Sequence, residues 1–151
     1  MKMIMTAVPH PDDVSEIRNK LRAYNAQHVD LELIKEIALF IKNDEGNKVA
    51  GLLAITWGNW MHIHALWVDE TLRRTGQGSR MLQAAEQEAL VRGCQRVCVD
   101  TFSFQAREFY EKQGYRLQMT LEQIPLHHRQ HYLVKYLEPS VSAFSTINNK
   151  D

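Results

Sequence analysis

The sequence predicts an α/β (α+β) domain, a mixed and mostly antiparallel sheet with helices on its faces. Three observations predict it. Three β-forming segments follow one another across tight turns, which makes a local antiparallel meander. A helix-period segment bounded by glycines comes next and leads into Val97-Cys98-Val99, an all-apolar run suited to a buried strand. The chain has 151 residues, 44% hydrophobic and 24% charged, which is ordinary globular composition at about one domain's length.

Each element has its own signal. Residues 4–8 are apolar and read as a first strand, broken by Pro9 and Pro11, after which Asp12 or Asp13 can cap a helix. Val14, Ile17, Leu21 and Tyr24 recur at steps of three and four, a helical stripe to about Gln27. Residues 31–41 and 49–57 read as strands joined by the turn Asn43-Asp44-Glu45-Gly46-Asn47, and Gly58-Asn59 leads into a further strand, Trp60 to Val68. Met81, Leu82, Ala85, Ala89 and Leu90 mark a helix that Gly93 stops. Ala106, Phe109 and Tyr110 sit on a short helix ended by Gly114, and residues 115–119 and 132–137 close the sheet.

Charge and cysteine content narrow the function. Lys+Arg and Asp+Glu are 18 each, so the basic excess usual in nucleic-acid binders is missing and no nucleic-acid partner is expected. No apolar run reaches the roughly 18 residues of a membrane span, and the apolar start is too short for a signal-peptide core. Cys94 and Cys98 form no disulfide framework, so two ordinary buried thiols in a reducing cytoplasm are expected.

The segment Arg73-Arg74-Thr75-Gly76-Gln77-Gly78-Ser79 joins a strand to a helix. Glycines let backbone amides approach a ligand, the helix start presents unpaired N–H groups, and two arginines add charge. Together these suit a phosphate or pyrophosphate; an ordinary turn with a helix cap is the plainer alternative. No Gly-x4-Gly-Lys-Ser/Thr run occurs, and the third glycine of a dinucleotide fingerprint is missing.

The chain resembles the GNAT superfamily of acetyl-CoA-dependent N-acetyltransferases. Residues 73–78 match that family's Arg/Gln-x-x-Gly-x-Gly/Ala pyrophosphate loop, and residues 106–115 match its second signature, Ala-x-x-Phe-Tyr-x-x-x-Gly-Phe/Tyr. Residues 100–106, Asp-Thr-Phe-Ser-Phe-Gln-Ala, also resemble a group of small bacterial members; many members carry Asn where Phe102 or Ser103 stands. The resemblance implies one N-acetyltransferase domain at 1–138 and a sheet splayed between its fourth and fifth strands; residues 139–151 are polar and read as a tail. Acetyl-CoA would be the co-substrate, lying in that splay. Backbone groups of Leu66, Trp67 and Val68 would pair with its pantetheine arm. Residues Arg73, Arg74, Thr75, Gly76, Gln77, Gly78 and Ser79 would hold the pyrophosphate, and Ala106, Phe109 and Tyr110 would also contact the cofactor, Tyr110 beside its sulfur. Many members pair through sheet edges or tails, so a homodimer is compatible with the resemblance.

Transfer to an amine needs a base, because an alkyl ammonium titrates near about 10.4. The oxyanion needs a donor, for which the N–H of Trp67 or Val68 is placed. Tyr110 is the candidate acid for the leaving thiolate, against the alternative of a packed aromatic. His62 and His64 are two apart on a strand, so strict alternation puts both on one face, with Leu66 continuing it. Some arylalkylamine acetyltransferases show a similar His-x-His, so a proton relay is one reading and two part-exposed strand histidines the other. Glu70 is a weaker alternative base. Trp57, Trp60 and Trp67 are candidates for an amine pocket or for sheet cover. The stretch His127-His128-Arg129-Gln130-His131 lacks a fourth ligand, so no metal is expected and it reads as the acceptor-side loop. The expected activity is N-acetylation of a small-molecule amine, with a protein amine second; a non-catalytic acyl-CoA sensing module is the alternative.

Overall fold

Six strands form one sheet: β1 (Ile34–Lys42), β2 (Lys48–Trp57), β3 (Trp60–Val68), β4 (Arg96–Phe102), β5 (Arg116–Leu121) and β6 (Gln130–Tyr136). Their order is β1-β2-β3-β4-β6-β5, antiparallel throughout except for the parallel β3–β4 pair. The computed structural model describes residues 1–138, so the tail expected at 139–151 lies outside the described residues. By internal contacts the chain divides into two units, one of them Met1–Leu33 and the other from Ile34 on.

The first unit holds helix α1 (Pro11–Asn25) and a single 3-10 turn, Leu31–Leu33. The cap expected from Asp12 or Asp13 is supplied by His10, whose Nδ1 accepts the Asp12 N–H at 3.1 Å. Pro11 then takes the first helical position, where its missing N–H costs nothing. Both aspartates fall in the first turn, where the helix dipole favours them. Residues 4–8 do not form the expected strand. Apolar composition alone cannot make one, because a strand is stabilised by cross-strand partners, and this segment joins no ladder. The splay expected between the fourth and fifth strands consequently falls between the third and fourth.

In the second unit, β1, β2 and β3 form the expected meander through turns at Gly46 and Gly58, both with positive φ. Parallel pairing of β3 and β4 requires a crossover, which helix α2 (Gln77–Val91) provides. Met81, Leu82, Ala85, Glu86 and Ala89 are its buried residues, spaced to face the sheet. Of these, Leu82, Ala85 and Ala89 join Leu52, Met61, Ile63, Val97, Val99 and Leu133 in the core, which helix α3 (Arg107–Lys112) completes with Tyr110.

Glu86 is a carboxylate inside that core. Lys135 Nζ donates to it at 2.7 Å and the Tyr115 hydroxyl at 3.1 Å. Burial, and then the Glu86 charge, push the Tyr115 hydroxyl far above the phenol range, so it stays a donor. Lys135→Met should remove the only cation of this trio and destabilise the protein by about 2–3 kcal/mol, below the full cost of breaking a buried pair because Lys135 is partly exposed. Urea unfolding checks this; an unchanged midpoint would show the carboxylate to be solvated.

Candidate active site

β3 and β4 are laddered only from Trp60↔Arg96 to Ile63↔Val99, although β3 runs on to Val68 and β4 to Phe102. The cause is visible on the other edge of β3. Leu53 pairs with Ala65, but Ala54 pairs with Ile63, so His64 is an extra residue, a β-bulge. A bulge bends its strand and increases its twist, and this one falls where the two strands part. It also resets the alternation. Met61 and Ile63 face the core before it and Leu66 packs against the core after it. Leu66 therefore does not continue the face of His62, as strict alternation predicts. The rings of His62 and His64 remain neighbours, 4.4 Å between centroids.

The gap is a cleft of about 860 Å³. The expected residues come together in it. β3 contributes His64, Leu66, Trp67 and Val68, and the turn contributes Arg73, Arg74, Gly76, Gln77, Gly78 and Ser79. Ala106, Phe109 and Tyr110 line it as well. Two expected residues do not line it. Thr75 turns both its N–H (3.3 Å) and its hydroxyl back to the Leu72 carbonyl. His62 lies beside the cleft, behind His64, with Nε2 3.7 Å from Asp100 Oδ1.

The turn is built from local signals. Asp69 accepts the N–H and hydroxyl of Thr71 and so caps a 3-10 turn, Glu70–Leu72; the Thr71 hydroxyl first, then its N–H, holds this carboxyl below the usual range. Arg74 (φ 65°) and Gly76 (φ 85°) are both left-handed. The first α2 bond runs from Arg80 N–H to the Gly76 carbonyl at 3.0 Å. The N–H groups of Gln77, Gly78 and Ser79 therefore have no helical acceptor. Gly78 seats the Phe109 ring: a Cβ there would stand 3.4 Å from Phe109 Cζ. Gln113 Nε2 donates to Ser79 Oγ at 2.9 Å, tying α3 to the start of α2. Gln77 Oε1 is buried without a partner among the described residues.

Tyr110 is buried, and burial first, with Asp100 second, pushes its hydroxyl up to about 12. His64 is held below the ordinary imidazole range, mainly by desolvation and then by His62, against an upward pull from Asp100.

Several lining residues belong to the 100–106 motif but were not named as site residues from the sequence: Asp100, Thr101, Phe102, Phe104 and Gln105. Gln105 Oε1 accepts the Phe102 N–H at 2.8 Å and buried Thr101 Oγ1 accepts the Ala106 N–H at 3.2 Å, so the turn into α3 is held by its own side chains. Phe104 stacks on Phe102 at 5.4 Å and meets His128 edge-on at 4.8 Å. The alternation Val97–Val99, which buries those two, is the signal that placed Cys98 and Asp100 on the other face beside β3.

The remaining candidates lie elsewhere. Trp57 pairs with Trp60 at the hairpin end, and the Arg96 guanidinium sits between the Trp60 and Tyr136 rings. His131 is buried on β6, its Nδ1 2.8 Å from Thr120 Oγ1, and burial pushes its pKa down. Both cysteines are free thiols raised by burial. Among the described residues no cluster of three His, Cys, Asp or Glu is arranged to hold a metal, and no helix is long and apolar enough to cross a membrane.

Comparison with known proteins gives the same family. Residues 11–115 match the acetyltransferase (GNAT) family model. Blasticidin-S acetyltransferase of Streptomyces morookaense is 33% identical over 136 residues, covering 88% of this chain and all of the relative. The crystal structure of an acetyltransferase from Bacillus cereus is 36% identical, with a TM-score of 0.77 over 91% of this chain and 100% of that one. An aminoglycoside 6′-N-acetyltransferase complexed with coenzyme A shares the fold at 19% identity, with a TM-score of 0.61 over 93% of this chain and 99% of the other. The match to the family model and the blasticidin-S relative, together with the splayed sheet and its glycine turn, establish that this chain belongs to the acetyltransferase (GNAT) family.

Proposed function

We propose that the chain moves the acetyl group of acetyl-CoA to the primary amine of a small molecule, by direct attack within a ternary complex. The observation that carries this reading is the meeting of the amide-rich turn, His64 and Tyr110 in one cleft. Free N–H groups at the start of α2, with Arg73 and Arg74 beside them, suit a pyrophosphate. The left-handed Gly76 leads into that helix start, and the orphaned Gln77 Oε1 is an acceptor for a ligand N–H or O–H. The edge of β3 from Leu66 to Val68, unladdered on its β4 side, takes the pantetheine arm as it would an added strand. The relative that is named for blasticidin-S supports a small-molecule acceptor. In this reading residues 1–138 serve one cytoplasmic activity.

His64 takes the proton of the incoming amine, directly or through water. Its depressed pKa keeps the imidazole neutral, and so able to accept, at neutral pH. The N–H of Trp67 or Val68 stabilises the oxyanion. Tyr110 donates a hydrogen bond to the departing sulfur. A phenol near 12 does not hand its proton fully to a thiolate whose acid titrates near about 8.5, so sharing is favoured over transfer.

Release of the CoA thiol, measured against a panel of primary amines, tests the reading. Saturable, acetyl-CoA-dependent release with at least one amine is expected. Binding of acetyl-CoA without turnover of any amine would favour a sensing module. His64→Ala should cost about 10²-fold in kcat/KM near neutral pH. The loss should shrink as pH approaches the amine's own value of about 10.4, where free base supplies itself. A pH-independent loss would assign His64 to packing.

A further inference from the structure

We infer that Asp100 is a positioning residue of this reaction: its carboxylate, fixed by Gln130, stabilises the positive charge that the His62–His64 pair gains with the amine's proton. The inference rests on the proposed acetyl transfer. Asp100 stands one residue past Val99, the last β4 residue laddered to β3, where the strands open. Its side chain is about one-third exposed and lines the cleft. Gln130 Nε2, on β6, donates to Oδ2 at 2.9 Å, which sets the plane of the carboxylate. Oδ1 is thereby left 3.7 Å from His62 Nε2. That is too long for a hydrogen bond to neutral imidazole, but it is an ion-pair distance once the ring is charged. The His64 ring is the next in line, 4.4 Å from His62, and it borders the cleft where His62 does not.

The groups facing Asp100 come from every neighbouring element. They are His62 and His64 on β3, Tyr110 on α3, Gln130 and the ladder partner Tyr132 on β6, and Cys98 on its own strand. The Asp100 charge lifts His64 against burial and against His62, and it makes the Tyr110 proton harder to lose. One carboxylate thus favours both events that the transfer requires, a proton gained on the histidines and a proton kept on the phenol. The balance is simple. The amine gives one proton to His64, and it leaves through His62 to solvent beside a charge that lowers the cost of the imidazolium; the amine nitrogen bonds to the thioester carbonyl carbon, the C–S bond breaks, and coenzyme A departs as the thiolate, hydrogen-bonded by Tyr110 and protonated from solvent.

Asp100→Asn tests this, because it removes the charge and keeps both the size and an acceptor for Gln130. The first readout is an NMR titration of the histidine ring protons in the protein without ligands, which needs no activity. The His64 resonances are expected to titrate at lower pH than in the wild type, because the charge that lifts them is gone. The second readout is the pH profile of kcat/KM. Its acid limb should move the same way and its plateau should fall about tenfold, with acetyl-CoA affinity unchanged. Ring titrations that stay in place in a folded Asn variant would falsify the proposal. So would a rise in the amine's KM with the limb unmoved, since Asp100 would then be holding the acceptor's ammonium. Should the Asn variant not fold, Gln130→Ala, which keeps the charge but frees its orientation, is read by the same titration, and an unchanged result there also overturns it. If the titrations shift but no amine is acetylated, acetyl transfer fails while the coupling of Asp100 to the histidines stands.

Discussion

Gly76→Glu is expected to abolish acetyl-CoA binding. Gly76 has φ 85°, a left-handed conformation that a side chain occupies at a cost of about 1–2 kcal/mol. A Cβ there would meet nothing within 4 Å, so crowding is not the main effect. Charge is. A carboxylate on this residue lies next to the unpaired N–H groups of Gln77, Gly78 and Ser79 and competes for the place of the diphosphate. Gly76→Ala separates the two contributions, since it carries the backbone strain without the charge. It should be less stable by about 1 kcal/mol and still bind. Thermal shift and calorimetry read both variants. In the wild type, acetyl-CoA at a hundred times its dissociation constant adds about 2.7 kcal/mol, a rise in melting temperature of about 5–10 °C for a chain of this size. The Glu variant should show no rise and no saturation; unchanged affinity in it would remove the turn from the binding site.

Tyr110→Phe should lower kcat by roughly 10–100-fold and leave acetyl-CoA affinity and stability close to wild type. A hydrogen bond to a charged group is worth about 1.5–3 kcal/mol, and each 1.36 kcal/mol is about tenfold in rate. The ring is buried against Phe109 and Tyr115, and Phe keeps that packing. No described side chain depends on the Tyr110 hydroxyl, in contrast to Tyr115, whose hydroxyl serves buried Glu86. With its pKa at about 12, Tyr110 should contribute no basic limb to the rate profile below about pH 10, well under that value. A loss of 10³-fold or more, with such a limb, would point to full proton transfer. An unchanged kcat would leave Tyr110 as packing alone.

The turn at residues 73–79 and the second signature around Phe109 and Tyr110 were legible because each is a short local pattern. A left-handed glycine, a helix start and the helix-period set Ala106, Phe109 and Tyr110 carry their meaning within a few residues. The meander was legible for the same reason: Gly46 and Gly58 are local turn signals. Asp100 was not singled out, because its partners stand on three other elements, at His62, Tyr110 and Gln130. Residues 4–8 misled because β-forming composition is a statement about a surface that another strand must supply.

By itself the sequence determined the family's two signatures, the helix that begins at the first and the one within the second, and the strands of the meander. Tertiary structure alone decided that β3 carries a bulge at His64, that the bulge falls where β4 departs, and that Leu66 packs against the core at the cleft's edge while His64 stands exposed in it. The physical reason is that a ladder's register is a property of two strands. One extra residue is invisible in either strand alone, yet it reverses which side chains face the core and which face the substrate.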